Sequence, residues 1–281
     1  MTNRPYDALL LDLDGTLMTS EETIHPRTRA ALDAVRATGV RLMIVTGRSV
    51  VSARPVLQEL ELPDPAVVFN GAGVWCPSQE RLLEERVLSN RTLARLHDYR
   101  RSTGDMAVLM TADRKIALEP RTPAAHGALD GLDGLIFLDE AQLEAEEFVL
   151  RVTFMNDQEP DSSAYAKRIV EFVGQPSYVT HFPLSILPRH RESQYQAVDF
   201  HAPCQGKAEA LRWLQDVEGI DPSRVVAVGD AFNDEPMLAR AGLGVAMGNA
   251  VPALQDCADR VIGHHDSGAI GELVEELFLG A

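Results

Sequence analysis

Residues 9–17 read LLLDLDGTL and put two carboxylates, Asp12 and Asp14, two positions apart behind a leucine run. If Ala8 to Leu13 is extended, alternate side chains share a side, so Asp12 and Asp14 point one way and Leu13 the other. Like charges held that close repel, and one keeps its proton unless a cation sits between them. The pair is costly as decoration and useful as chemistry: one carboxylate can attack an electrophile while its neighbour handles a proton. The competing reading is a plain turn, because Asp-Gly is a common turn pair. A calcium loop of the D-x-D-x-D-G type is excluded, since its sixth position would be Leu17 and its twelfth Thr23.

Three other stretches supply matching residue types. VTGR at 45–48 ends an apolar run with Thr46 and Gly47, GK at 206–207 puts Lys207 at a helix start, and GDAFND at 229–234 supplies Asp230, Asn233 and Asp234. Each alone has an ordinary explanation: Thr46 as a helix cap, Lys207 as a surface lysine, Asn233 and Asp234 as first-turn residues. Asn70-Gly71 reads as a hairpin turn. Together they provide what phosphoryl transfer needs, namely a nucleophile, neutralisation of the phosphoryl oxygens and a proton for the leaving alkoxide. Asp12 and Asp230 are hard oxygen donors suited to Mg²⁺, and Thr46 and Lys207 can hold phosphate oxygens.

The elements that must position these residues alternate in type. PRTRAALDAVRATG (26–39) carries Pro26 at a first helical turn, Gly39 past its end, and an apolar stripe of Ala31, Leu32 and Val35. VRLMIVTGRS (40–49), AVVFNGAGVW (66–75), RVVAVGD (224–230) and LGVAMGNA (243–250) are short and nearly continuously apolar. Strands of that kind separated by helices predict a parallel sheet covered on both faces, with its ligand site outside the carboxyl ends of the strands. The middle of the chain differs. Two helical stretches (91–102 and 162–173) and strands at 106–110, 115–118, 147–155 and 177–182, with QAVDF (196–200) near its end, are punctuated as in an antiparallel sheet, which predicts an inserted α/β lobe.

The bulk numbers narrow the function classes. With 281 residues, 45% of them hydrophobic, the chain can build one large domain or two ordinary ones. A formal net charge of −16 argues against non-specific nucleic-acid or anionic-membrane partners. Cys76, Cys204 and Cys257 form no C-x-x-C pair, so neither a disulfide framework nor a zinc knuckle is indicated. Asp12 and Asp14 interrupt the only N-terminal apolar run, and no stretch is long enough to span a bilayer. A cytoplasmic protein is expected, as a monomer or small homo-oligomer.

DLDGT at 12–16, VTGR at 45–48, GK at 206–207 and GDAFND at 229–234 together resemble the haloacid-dehalogenase-like hydrolase superfamily, and within it the Cof-type sugar-phosphatase-like group. The resemblance implies an α/β fold: a Rossmann-like parallel-sheet core at 1–82 and 194–281 with an inserted α/β cap domain at 83–193. It implies Asp12 as nucleophile and Asp14 as general acid and then base, with Thr46, Gly47, Lys207 and Asn233 around the phosphate. Mg²⁺ would be held by Asp12, Asp230 and the main-chain carbonyl of Asp14, with Asp234 completing or supporting the shell. The activity implied is hydrolysis of small metabolite phosphates through an aspartyl phosphate, the cap reading the leaving group. Two other readings share the acidic cluster: a phosphomutase, and a non-enzymatic phospho-acceptor module, which has no use for a hundred-residue insert.

Overall fold

The apolar runs fold as short strands because β-branched and leucine-rich segments bounded by glycine, proline and polar residues have few other ways to bury both faces. The computed structural model describes residues 5–62 and 64–280; positions 1 and 281, the outer limits of the expected core, and Pro63 lie outside the described residues. In chain order the strands are β1 (Ala8–Leu11), β2 (Arg41–Ile44), β3 (Ala66–Val68), β4 (Gly73–Cys76), β5 (Arg81–Glu85), β6 (Met106–Met110) and β7 (Lys115–Leu118). They continue with β8 (Leu135–Leu138), β9 (Arg151–Asn156), β10 (Tyr178–Pro183), β11 (Gln196–His201), β12 (Val225–Gly229), β13 (Leu243–Ala246) and β14 (Arg260–Val261).

The chain divides into two units, one of residues 1–47, 60–83 and 205–281, the other of 48–59 and 84–204. The first holds a five-stranded sheet in the order β14-β13-β12-β1-β2, parallel throughout. β1 lies between β12 and β2, with Leu10 opposite Ala227 on one side and Met43 on the other. From β1 the chain progresses to β2 in one direction, and from β12 to β13 and β14 in the other. The carboxyl ends of β12, β1 and β2 therefore flank a topological switch point. The helix Pro26–Arg36 turns Ala31, Leu32 and Val35 inward, as its spacing predicts.

The second unit carries a six-stranded sheet in the order β10-β11-β9-β6-β7-β8. Its pairs are antiparallel except for β7 with β8. β8 is an addition to the strands expected from the sequence. One face of this sheet packs Leu109, Val152, Phe154 and Phe200 into a core with Tyr99 and Tyr165. Those tyrosines come from the helices Asn90–Thr103 and Ser162–Val173. Tyr99 meets Phe154 edge to face with ring centres 5.2 Å apart. Ser89 caps the first of these helices by accepting from the Thr92 amide at 3.1 Å, and Gly104 ends it with φ 75°.

The unit boundaries differ from the expected 83–193 insert. Residues 196–201 are β11, hydrogen-bonded along their length to β9 and β10, so the second unit continues to Cys204. QAVDF thus lies in the antiparallel sheet, as its punctuation predicts, and only the limit at 193 is set too early. Among the described residues no helix is long and apolar enough to cross a membrane.

Because Leu10 is fully buried in the central strand, Leu10→Ala should lower the unfolding free energy by about 2–5 kcal/mol. Urea denaturation measures this, and a loss well under 1 kcal/mol would mean that β1 is not the centre of the core.

Candidate active site

The site residues come from the first unit alone. β1 ends at Leu11, two residues earlier than the sequence suggests, although the Asp12 amide still donates to the Val228 carbonyl at 3.1 Å. The chain then leaves the sheet in a wide turn, closed by the Leu17 amide on the Asp12 carbonyl (3.3 Å) and the Met18 amide on that of Leu13 (2.9 Å). Gly15 permits this with φ 74°, and a Cβ there would lie 2.3 Å from Asp230 Oδ2. Asn249 Nδ2 holds the turn by donating to the Gly15 carbonyl at 2.7 Å. Asp12 is consequently buried while Asp14, on the turn, is exposed. Asp14 thus follows Asp12 on a turn and not along an extended strand, because the glycine conformation and the Asn249 bond pull the backbone off the sheet.

Asp12, Asp230 and Asp234 each offer a carboxylate oxygen within 4.8 Å of the others. Lys207 is buried among them, with Nζ donating to Asp12 Oδ1 at 2.6 Å and Asp234 Oδ1 at 2.5 Å. The other oxygen of Asp234 accepts the main-chain amides of Asp230 (3.0 Å) and Ala231 (2.9 Å). Asp234 therefore fixes both the lysine and the loop that carries Asp230. Gly229 is required by the same packing, since a Cβ would fall 2.4 Å from the Asp234 carboxyl carbon.

Electrostatics follow from one ammonium facing several carboxylates. Burial pushes Asp12 well above the usual carboxylate range; Lys207 opposes this, and the charges of Asp234, Asp230 and Asp14 add to it. Burial, with the charge of Asp234, raises Asp230 to about 6 against the pull of Lys207. For Lys207, burial disfavours the charge, but Asp12 and Asp234 outweigh it and hold the ammonium above its ordinary value. Oxygen donors with more negative charge than one lysine neutralises fit a hard divalent cation.

The residues expected around a phosphate gather beside this cluster. Thr46 and Gly47 follow β2; the Thr46 amide donates to Val67 and its carbonyl accepts from the Asn70 amide at 3.1 Å. Asn233 Nδ2 donates to Asn70 Oδ1 at 2.9 Å. A Cβ at Gly47 would meet that same oxygen at 2.9 Å. Asn70 is thus a member of the site that the sequence reading treats only as a turn residue. The available signal is an Asn-Gly pair directly after a buried strand, with Phe69 and Asn70 both left-handed at φ 52° and 51°. Thr16 is a second missed member, fully buried with Oγ1 donating to Asp230 Oδ1 at 3.2 Å. The Gly71 backbone lies so close to the loop before Lys207 that a Cβ would be 2.2 Å from the Gly206 carbonyl oxygen.

Residues 9–274 match the model of the haloacid dehalogenase-like hydrolase family. The chain is 30% identical to the pyridoxal phosphate phosphatase YbhA of Escherichia coli, across 98% of both chains. It is 29% identical to the HMP-PP phosphatase of Cronobacter sakazakii over 86% of this chain and 84% of that one. The solved structure of the subclass IIB sugar phosphatase BT4131 superposes with a TM-score of 0.77 at 21% identity, over 96% of this chain and 98% of that one, a likeness of fold. The chain belongs to the haloacid dehalogenase-like hydrolases, as a HAD-type phosphatase with the α/β core and additional lobe of that fold.

The shift at Asp230 has a measurable consequence in the metal-free protein. Its folded pKa of about 6 exceeds the ordinary 3.8, so its contribution to stability is full below the unfolded value and is lost as pH rises through about 6. In EDTA, the stability of the wild type minus that of Asp230→Asn should therefore fall between pH 4 and pH 7 in urea titrations. A difference that rises over that range would reverse the assignment.

Proposed function

We propose that the protein is a Mg²⁺-dependent phosphomonoesterase that hydrolyses small organic phosphates, sugar phosphates among them, through an aspartyl phosphate on Asp12. The observation that carries the reading is Lys207 bridging Asp12 and Asp234 inside a cluster completed by Asp230. The substrates named for the relatives, pyridoxal phosphate for YbhA and HMP-PP for the Cronobacter enzyme, make small phosphorylated metabolites the class to test. Solubility in the cytoplasm and the lack of nucleic-acid and membrane partners belong to the same reading and agree with the net charge of −16.

In this mechanism Thr46, Gly47, Lys207 and Asn233 orient the phosphoryl oxygens. Asp12 attacks phosphorus in line with the ester oxygen, and the P–O bond to the leaving group breaks as Asp14 gives that oxygen its proton. Asp14, now a carboxylate, takes a proton from water as the water attacks the aspartyl phosphate and releases inorganic phosphate. Its exposed position suits both roles, since it must reach a leaving group and then a solvent molecule. Asp12, Asp230 and the Asp14 carbonyl would hold Mg²⁺, with Asp234 behind them; when bound, the ion supplies neutralising charge for the phosphoryl oxygens. Lys207 bonds Asp12 directly and opposes the effect of burial on its attacking carboxylate, the remaining charge imbalance being what a bound cation would relieve.

Phosphate release from a panel of metabolite phosphates with Mg²⁺ should be abolished in Asp12→Asn, with the circular dichroism spectrum unchanged. Asp14→Asn should slow turnover at least a hundredfold, the low end of general acid–base contributions being about 10², and leave a phosphorylated protein visible by intact mass spectrometry. Full activity in Asp12→Asn removes the nucleophile. Chelation with EDTA should silence the wild type and added Mg²⁺ restore it; activity indifferent to both would remove the metal from the mechanism.

A further inference from the structure

The chain has three lysines among its 26 basic residues. Lys167 is a surface residue with Nζ 3.9 Å from Glu171. Lys207 is buried and doubly ion-paired. Lys115, in the second unit, is buried just as deeply, at 1% exposure, yet its ammonium has a single hydrogen bond, to the Asp133 carbonyl at 2.9 Å. Among the described residues no carboxylate forms an ion pair with it. An ammonium carries three donors, and removing its charge from water is costly unless an anion compensates.

Its neighbours deepen the imbalance. Sheet register places Lys115 opposite Met110, Met110 opposite Arg151, and Arg151 opposite His201, one row across four strands. These side chains share the face opposite the one that packs Leu109, Val152 and Phe200 into the core. Asp199, two residues along on the same face, is committed to Arg151 Nη1 (3.3 Å) and Thr153 Oγ1 (2.6 Å). His201 contributes no charge, because burial lowers its pKa to about 4. Burial, and after it the charge of Arg151, lowers the pKa of Lys115; Asp133 pulls the other way, and Arg48 adds a smaller lowering. A chain of net charge −16 thus buries the Lys115 ammonium with a main-chain carbonyl as its hydrogen-bond acceptor and, among the described residues, no carboxylate in an ion pair with it.

We propose that Lys115, with Arg151 across Met110, forms an oxyanion-binding site in the second unit that takes a carboxylate or a phosphoryl group. The ligand brings the missing acceptor oxygens, and its charge offsets the buried ammonium. Two sources have this chemistry: a second acidic group on the phosphorylated substrate, and a free anion. The first source rests on the phosphatase reading; the site itself does not.

Three lysines make the test direct. Metal-free protein labelled with ¹³C at lysine Cε should give three resolvable side-chain signals, that of Lys115 being the one absent in Lys115→Met and, should that variant fold poorly, in Lys115→Arg. Inorganic phosphate, malonate or both should move the Lys115 signal saturably while Lys167 stays fixed. Phosphate that moves Lys207 alone, or a Lys115 signal unmoved by both anions, overturns the proposal and leaves the phosphatase reading standing. The source follows from kinetics on glucose 6-phosphate and 6-phosphogluconate, which differ by an added carboxylate. If the oxyanion belongs to the substrate, Lys115→Met raises KM about tenfold for 6-phosphogluconate only, with kcat retained, as expected for one charged hydrogen bond. Equal KM values with a shifted Lys115 signal identify a free anion as the ligand.

Discussion

The buried ammonium of Lys207 is the interaction on which the active site depends. Without it, Asp12 and Asp234 would face each other and Asp230 across a few ångströms with no cation of the chain between them. Removing one partner from such a buried group leaves an uncompensated charge, far more costly than losing an exposed ion pair. The lysine alone does not balance the cluster, as the raised pKa values of Asp12 and Asp230 record. The site is therefore strained toward protonation or toward binding a cation, and the metal-assisted phosphoryl transfer proposed above would use that tension.

The backbone around the cluster is arranged to make that spacing possible. Gly15, Gly229 and Gly71 each stand where a Cβ would penetrate Asp230, Asp234 or the main chain before Lys207. Asp234 also ties two amides of the loop after β12, so the orientation of Asp230 and the position of Lys207 are set by one carboxylate. Disturbing Asp234 would thus shift two elements at once, which makes it a positioning residue whatever share it has in binding metal.

Much of this was legible in the sequence, and the exceptions share a cause. Asp12, Thr46 and Asp230 could be located because parallel strands expose their carboxyl ends at one edge, and each residue directly follows an apolar run. Asn70 could not, because Asn-Gly has an adequate local explanation as a turn, and its bond to Asn233 spans 163 positions. Thr16 was hidden in the same way, as its bond to Asp230 spans 214. The two-residue shortening of β1 depends on Asn249 reaching back to Gly15, again a contact with no local trace. QAVDF reads as a strand of the inserted lobe and pairs there as β11, although the expected limit at 193 falls just before it. Local periodicity reports burial; it does not report partners.

Residue choice carries a further signal that composition alone obscures. A chain whose basic residues are nearly all arginine keeps three lysines and buries two of them. Arginine suits exposed pairing and flat carboxylates, as in the bonds of Arg260 to both oxygens of Glu276 at 2.8 and 2.7 Å. Between Asp12 and Asp234 the requirement is different: a compact charge that reaches two carboxylates on separate elements within 2.6 Å. A planar guanidinium would need a wider gap and would displace one of them. Where lysine persists in such a composition and is buried, the local geometry demands a point charge, and at Lys207 the carboxylates that justify it are in view.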